Sequence, residues 1–98
     1  MTPVILDEQL VHRFNFYFEG NIRQGMRHGC RLYGLVEQFN SRHRLNAYQL
    51  ACELAEQGLP IVVTVSGSSY RVWLGLDSPS YPHFHARQQV AWQPLLVA

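Results

Sequence analysis

Apolar residues recur in this chain with two different periods, and the change from one to the other marks out its elements. Leu45, Tyr48, Ala51, Cys52 and Ala55 fall at three- and four-residue steps, with Gln49, Glu53, Glu56 and Gln57 mostly between them, which predicts an amphipathic helix from about Arg42 to Gln57. Both ends of that helix carry stop signals. Ser41 or Asn40 supplies an oxygen to cap the first turn, Gly58 accommodates a left-handed residue after the last, and Pro60 forbids continuation. Beyond Pro60 the period becomes two. Ile61, Val63 and Val65 face one way and Val62, Thr64 and Ser66 the other, and the alternation resumes at Tyr70, Val72, Leu74 and Leu76 after Ser66-Gly67-Ser68-Ser69. This is the pattern of a β-hairpin with a polar, glycine-containing turn.

Ahead of the helix, Leu10, His12, Phe14, Phe16 and Phe18 alternate with Arg13, Asn15 and Tyr17, the pattern of a half-buried strand; a helix from Asp7 to Glu19 is the competing assignment. Gly20 to Gly29 carries three glycines and a stripe of arginines at four-residue spacing. Glycines weaken a helix by about 1 kcal/mol each, so the segment reads as a Gly-rich arginine loop leading into a strand from about Cys30 to Phe39. A single Gly-weakened helix is the alternative. Residues 1–9 read as a loose lead-in, and 77–98 as a Pro-rich tail, irregular from Asp77 to Pro82, in which His83 to Trp92 fits a short helix or an edge strand equally well.

The stretch 31–76 resembles the SPOR family, small βαββαβ-type domains that bind peptidoglycan stripped of its stem peptides. The matching residues are Tyr33-Gly34-Leu35-Val36 and Phe39, Ser41, Ala51, Leu54, Gly58-Leu59-Pro60, Val62-Val63, and Ser69-Tyr70-Arg71-Val72-Trp73-Leu74-Gly75. The resemblance covers just under half the chain. It implies glycan binding on a sheet face, with Tyr70 and Trp73 as stacking side chains.

Composition narrows the classes. Ninety-eight residues with 47% hydrophobic content suit a single domain. The formal net charge of +1 provides no global field for nucleic acid or an anionic membrane. Charge is nevertheless uneven: Arg23, Arg27, Arg31, Arg42 and Arg44 face only Glu37 between Gly20 and Arg44, and no lysine occurs anywhere. Every cation is thus a planar guanidinium fork, suited to bidentate pairing with carboxylate or phosphate. Cys30 and Cys52 form no C-x-x-C pair and read as reduced core residues. The N-terminus lacks a basic n-region and a long apolar run, and no stretch approaches a membrane-helix length, so the expected location is the cytoplasm.

Candidate chemistry is sparse. His83 and His85 would point to one side of a strand, but no third metal ligand lies close in sequence. Ser66, Ser68 and Ser69 lack the glycine spacing of a nucleophile elbow, and Glu53 and Glu56 read as a solvated helix face. No phosphate-loop or dinucleotide signature is present. No catalytic residue, metal or cofactor is assigned.

The expected structure is an α+β domain: a small antiparallel sheet of about four strands, in the order strand, strand, helix, strand, strand, with the helix on one face. Leu45, Tyr48, Ala51, Cys52, Ile61, Val63, Val65, Val72 and Leu74 should form its core, with Leu54 also touching the sheet. The expected function is a non-enzymatic protein-interaction module, an adaptor or accessory subunit. It would dock through Arg23, Arg27, Arg31, Arg42 and Arg44 and through a sheet face bearing Tyr70, Arg71 and Trp73. Glycan binding and nucleic-acid binding through the arginines are the alternatives. A homodimer, or docking on a partner, is expected through the Trp73 face or the edge of Ile61 to Ser66, with Trp92 of the tail as a competing lid.

Overall fold

The structure, a computed structural model, describes residues 3–81. Its elements are β1 (Val4–Asp7), β2 (His12–Phe18), β3 (Asn21–His28), β4 (Arg31–Asn40), α1 (Arg44–Glu56), β5 (Ile61–Val65) and β6 (Ser69–Gly75), with single 3₁₀ turns at Glu8–Leu10 and Ser41–His43. All six strands form one sheet in the order β1-β5-β6-β4-β3-β2. One helix on a sheet is as expected, but the sheet is larger and mixed, because β1 pairs in parallel with β5 while the other neighbours are antiparallel. Segment 1–9 is therefore not a loose lead-in, and Gly20 to Gly29 is not a loop. The expectations for His83 to Trp92, including a metal site at His83 and His85 and a Trp92 lid, lie outside the described residues.

The glycines of β3 and β4 serve the packing of aromatic rings. Gly25 pairs with Gly34 across the two strands. A Cβ on Gly25 would lie 2.7 Å from Phe14 Cε2, and one on Gly34 would overlap the Tyr81 ring. Two bare backbone positions side by side give Phe14, Phe16 and Tyr81 a flat bed, so their missing side chains are compensated by ring contact. Tyr81 sits edge-on to Phe18 with centroids 5.6 Å apart. Burial pushes its phenol pKa up to about 12, opposed by the nearby Arg23.

The helix stops where the sequence says it should but starts later: Asn40 Oδ1 accepts from the Arg42 amide at 2.9 Å and so caps the 3₁₀ turn Ser41–His43, while α1 begins at Arg44 with no side-chain cap. At the C-terminus Gly58 N donates to Ala55 O and Leu59 N to Leu54 O, Gly58 having φ +82°. That pair of bonds is a Schellman motif. The buried face, however, is Ala47, Ala51, Leu54 and Ala55. Leu45 is 80% exposed and Cys52 is exposed, contrary to expectation. Three alanines let the helix axis approach β4, β5 and β6 closely, and that places Leu45 on the solvent side of the first turn. Val65 is only half-buried, and Cys30 is exposed in the β3–β4 turn.

The sheet must be strongly curled, for a reason of chain length. β1 and β2 lie at opposite edges, which in a flat sheet would stand about 24 Å apart at the usual strand spacing. The steps from Asp7 to His12 reach at most about 18 Å. The link instead crosses one face of the sheet: Val11 packs there with Met26, Tyr33, Leu35, Val62 and Trp73 in a second core, separate from the one under the helix. A register shift between Leu35 and Glu37 in β4 supplies extra bend, as bulges do. The helix thus covers the convex side and the Glu8–Val11 link the concave one.

Candidate functional site

The curl decides where each expected site residue goes. Trp73 alternates away from the helix, as its place in β6 requires, but it lies inside the concave core with no exposed surface. Its indole Nε1 donates to Thr64 Oγ1 at 2.8 Å. Trp73 is therefore not on a free sheet face. Tyr70 faces the helix, half-buried, and its ring meets that of Tyr48 at 5.9 Å, with the Arg44 guanidinium 5.4 Å from the Tyr48 centroid.

The five arginines between Arg23 and Arg44 do not converge. Arg27 and Arg31 lie at one end of β4, and Arg42 and Arg44 follow its other end, about 30 Å away along ten residues of strand. Arg23 is buried, 4% exposed, beneath the helix-side aromatics. Burial pulls its pKa below the ordinary arginine value, and the neighbouring Tyr81 and Glu19 oppose that. Arg31 pairs with Asp77 at 3.1 Å and lies over the Tyr33 ring. That exposed pair stabilises little.

Glu8, which falls in the segment expected to be a loose lead-in, is the residue that ties the concave face together. Arg71 Nη1 of β6 donates to Glu8 Oε2 at 2.7 Å, and Arg13 Nη1 of β2 lies 3.2 Å from Glu8 Oε1. One carboxylate in the link thus holds a central strand and an edge strand. The side chains of Glu8 and Arg71 keep only 12% and 15% of their surface exposed, so the pair is held away from solvent and fixes the link in place. Arg71 is consequently occupied rather than presented. Beside it, Ser66 and Ser68 of the β5–β6 turn complete a shallow polar depression of about 370 Å³.

A second opening, an apolar groove of about 410 Å³, lies at the opposite end of the sheet between Pro3, Val4, Tyr33, Leu59, Pro60 and Arg31. Its one cation is the Arg31 already paired with Asp77. Among the described residues, no group of three or more His, Cys, Asp or Glu side chains could hold a metal, and no helix is long and apolar enough to cross a membrane.

The surface that remains is the outer edge of β2. The strand Ile61–Val65, expected at an edge, lies between β1 and β6; among the described residues the open edges belong to β1, four residues long, and β2, seven. The β2–β3 turn is the two-residue Glu19-Gly20, with φ of 52° and 80°, the two positive values of a type I′ turn. Its closing pair Phe18 and Asn21 exchanges hydrogen bonds, and alternation then assigns every backbone group. His12, Phe14, Phe16 and Phe18 turn their N–H and C=O toward β3. Arg13, Asn15 and Tyr17 turn theirs outward.

This edge carries few of the usual deterrents to pairing. From Phe14 to Phe18 it has no charge, no proline and no register shift. Tyr17 is 77% exposed and its cross-strand neighbour Ile22 55%. A recess of about 230 Å³ lined by Arg13, Phe14, Asn15 and Gln24 adjoins the middle of the strand. The alternating phenylalanines identified β2 in the sequence, but its place at an edge depends on long-range pairing that no local pattern carries. Comparison of the chain with protein-family models, with curated proteins and with solved structures returns no match.

Proposed function

We propose that this chain is a non-enzymatic protein-interaction module, an adaptor or accessory subunit, that binds an extended protein segment along the outer edge of β2. The observation that carries this reading is the set of outward backbone groups at Arg13, Asn15 and Tyr17, on a strand that is uncharged from Phe14 to Phe18 and whose outer edge has no neighbour among the described residues. Strand addition uses such groups for affinity and the alternating side chains for selectivity. Here the selective contacts would come from Phe14 and Phe16 on one face and from Arg13 and Tyr17 on the other. The docking role thereby passes from the scattered arginine set to an edge in which Arg13 is the guanidinium.

The glycan and nucleic-acid alternatives gain no specific observation. Trp73 is interior and Tyr70 packs on Tyr48, so the stacking pair is not at the surface, and the arginines lie at two ends of the sheet.

Selection from a random-peptide display library tests the proposal, with Asn15→Pro as the control. Asn15 points its N–H away from β3, so proline removes an outward donor without breaking the β2–β3 ladder, a position where edge strands tolerate it. Wild type should enrich peptides of alternating apolar character, and Asn15→Pro should lose them while its thermal transition persists. Peptides retained equally by a folded Asn15→Pro variant would place the binding surface elsewhere.

A further inference from the structure

The edge of β2 is self-complementary, and we propose that its partner is a second copy of the same chain, joined β2 to β2 in antiparallel fashion about a two-fold axis through Asn15. This inference rests on the edge-binding reading above and names its occupant. The argument is one of register. Backbone groups point outward at Arg13, Asn15 and Tyr17, spaced evenly about Asn15. Centring the two-fold there sets Arg13 opposite Tyr17 of the other copy, Tyr17 opposite Arg13, and Asn15 opposite Asn15. These are then the hydrogen-bonded pairs, and all the outward N–H and C=O groups of both strands are used. A slip of two residues either way leaves one outward residue of each strand facing the end of its partner strand, so the centred register is favoured by backbone pairing alone.

The side chains agree with it. On one face each Arg13 guanidinium comes beside a Tyr17 ring, a cation–π pairing, and no like charges meet. Tyr17, 77% exposed in the single chain, gains a partner. On the other face Phe14 comes opposite Phe16. These two rings are half-buried and already neighbours, with centroids 6.0 Å apart and an interplanar angle of 52°. Pairing would bring four such rings together across the axis. The contact is isologous, as a closed two-fold dimer requires, and one strand pair buries less than the roughly 1,200 Å² of a tight complex. The dimer should therefore be concentration-dependent rather than permanent.

Sedimentation equilibrium across a concentration series on the full chain tests the proposal, using charge at position 17 to read the register. Wild type should pass from monomer to dimer as concentration rises, and Asn15→Pro should remain monomeric. Tyr17→Arg would set two like-charged pairs against Arg13 and weaken the dimer by about tenfold or more, whereas Tyr17→Glu would set ion pairs there and retain it. Equal dimerisation of the Arg and Glu variants would overturn the register, and dimerisation of a folded Asn15→Pro would overturn the use of β2. A wild type that stays monomeric throughout would overturn self-association. If library peptides still bound wild type and not Asn15→Pro, the edge-binding reading would stand, and failure there too would remove both.

Discussion

Replacing Trp73 by alanine should lower the unfolding free energy by about 3–5 kcal/mol, the usual cost of truncating a large aromatic in a packed core. Trp73 has no exposed surface, touches the concave core of Val11, Met26, Tyr33, Leu35 and Val62, and gives its indole proton to Thr64 Oγ1. Removing the ring opens a cavity between the sheet and the Glu8–Val11 link, and it also leaves the buried Thr64 hydroxyl without that donor. In a domain whose whole stability is on the order of 5–15 kcal/mol, this is a large share. The urea midpoint of the variant should fall steeply. A midpoint within experimental error of wild type would mean that Trp73 lies at the surface and that the sheet does not curl as described.

Ala51→Asp should be comparably damaging, at about 3–5 kcal/mol, because it places an unpaired carboxylate where the helix meets the sheet. Ala51 is fully buried in the core with Val36, Leu54, Val63 and Val72. Leu50→Asp should cost less, since Leu50 is half-buried at the margin of the same cluster. Leu45→Asp should change stability by no more than about 0.5 kcal/mol, as surface substitutions do. Denaturant titration of the three variants reads the helix face directly. Leu45→Asp proving as harmful as Ala51→Asp would mean that the helix turns the Leu45 face inward.

Residue patterns alone reveal the parts of this fold whose causes are local. The end of the helix is a matter of a few adjacent residues, and Gly58 performs as read, while Asn40 caps the 3₁₀ turn ahead of the helix rather than the helix itself. The β5–β6 hairpin follows from alternation alone. The buried helix face was harder to see because three of its four members are alanines, which carry little hydrophobic signal beside an exposed Leu45. The glycines misled for a related reason. Gly25 suits a loop by propensity, yet it sits in a strand because Phe14 lies over the space its side chain would fill, as Tyr81 does over Gly34, which was expected in a strand.

The candidate site was legible in a narrower sense. Alternation correctly put Trp73 and Arg71 on the sheet side away from the helix, but alternation says which side a residue faces and not whether that side is wet. Only the short Glu8–Val11 link, forced across the sheet, turns that side into a core. The parallel pairing of β1 with β5 brings Asp7, and with it Glu8, beside the top of β5, where Arg71 can reach it. The edge status of β2 depends on the same long-range pairing. Local sequence could identify its phenylalanines, and only the strand order of the described residues puts it at an edge.

The central claim is that the outer edge of β2 presents open backbone groups, and residue-resolved amide hydrogen exchange on the dilute chain tests it most directly. In β2, the amides of Arg13, Asn15 and Tyr17 should exchange fast while those of Phe14, Phe16 and Phe18 are protected by β3, an alternation with a period of two. Uniform protection along β2, or the opposite alternation, would contradict it.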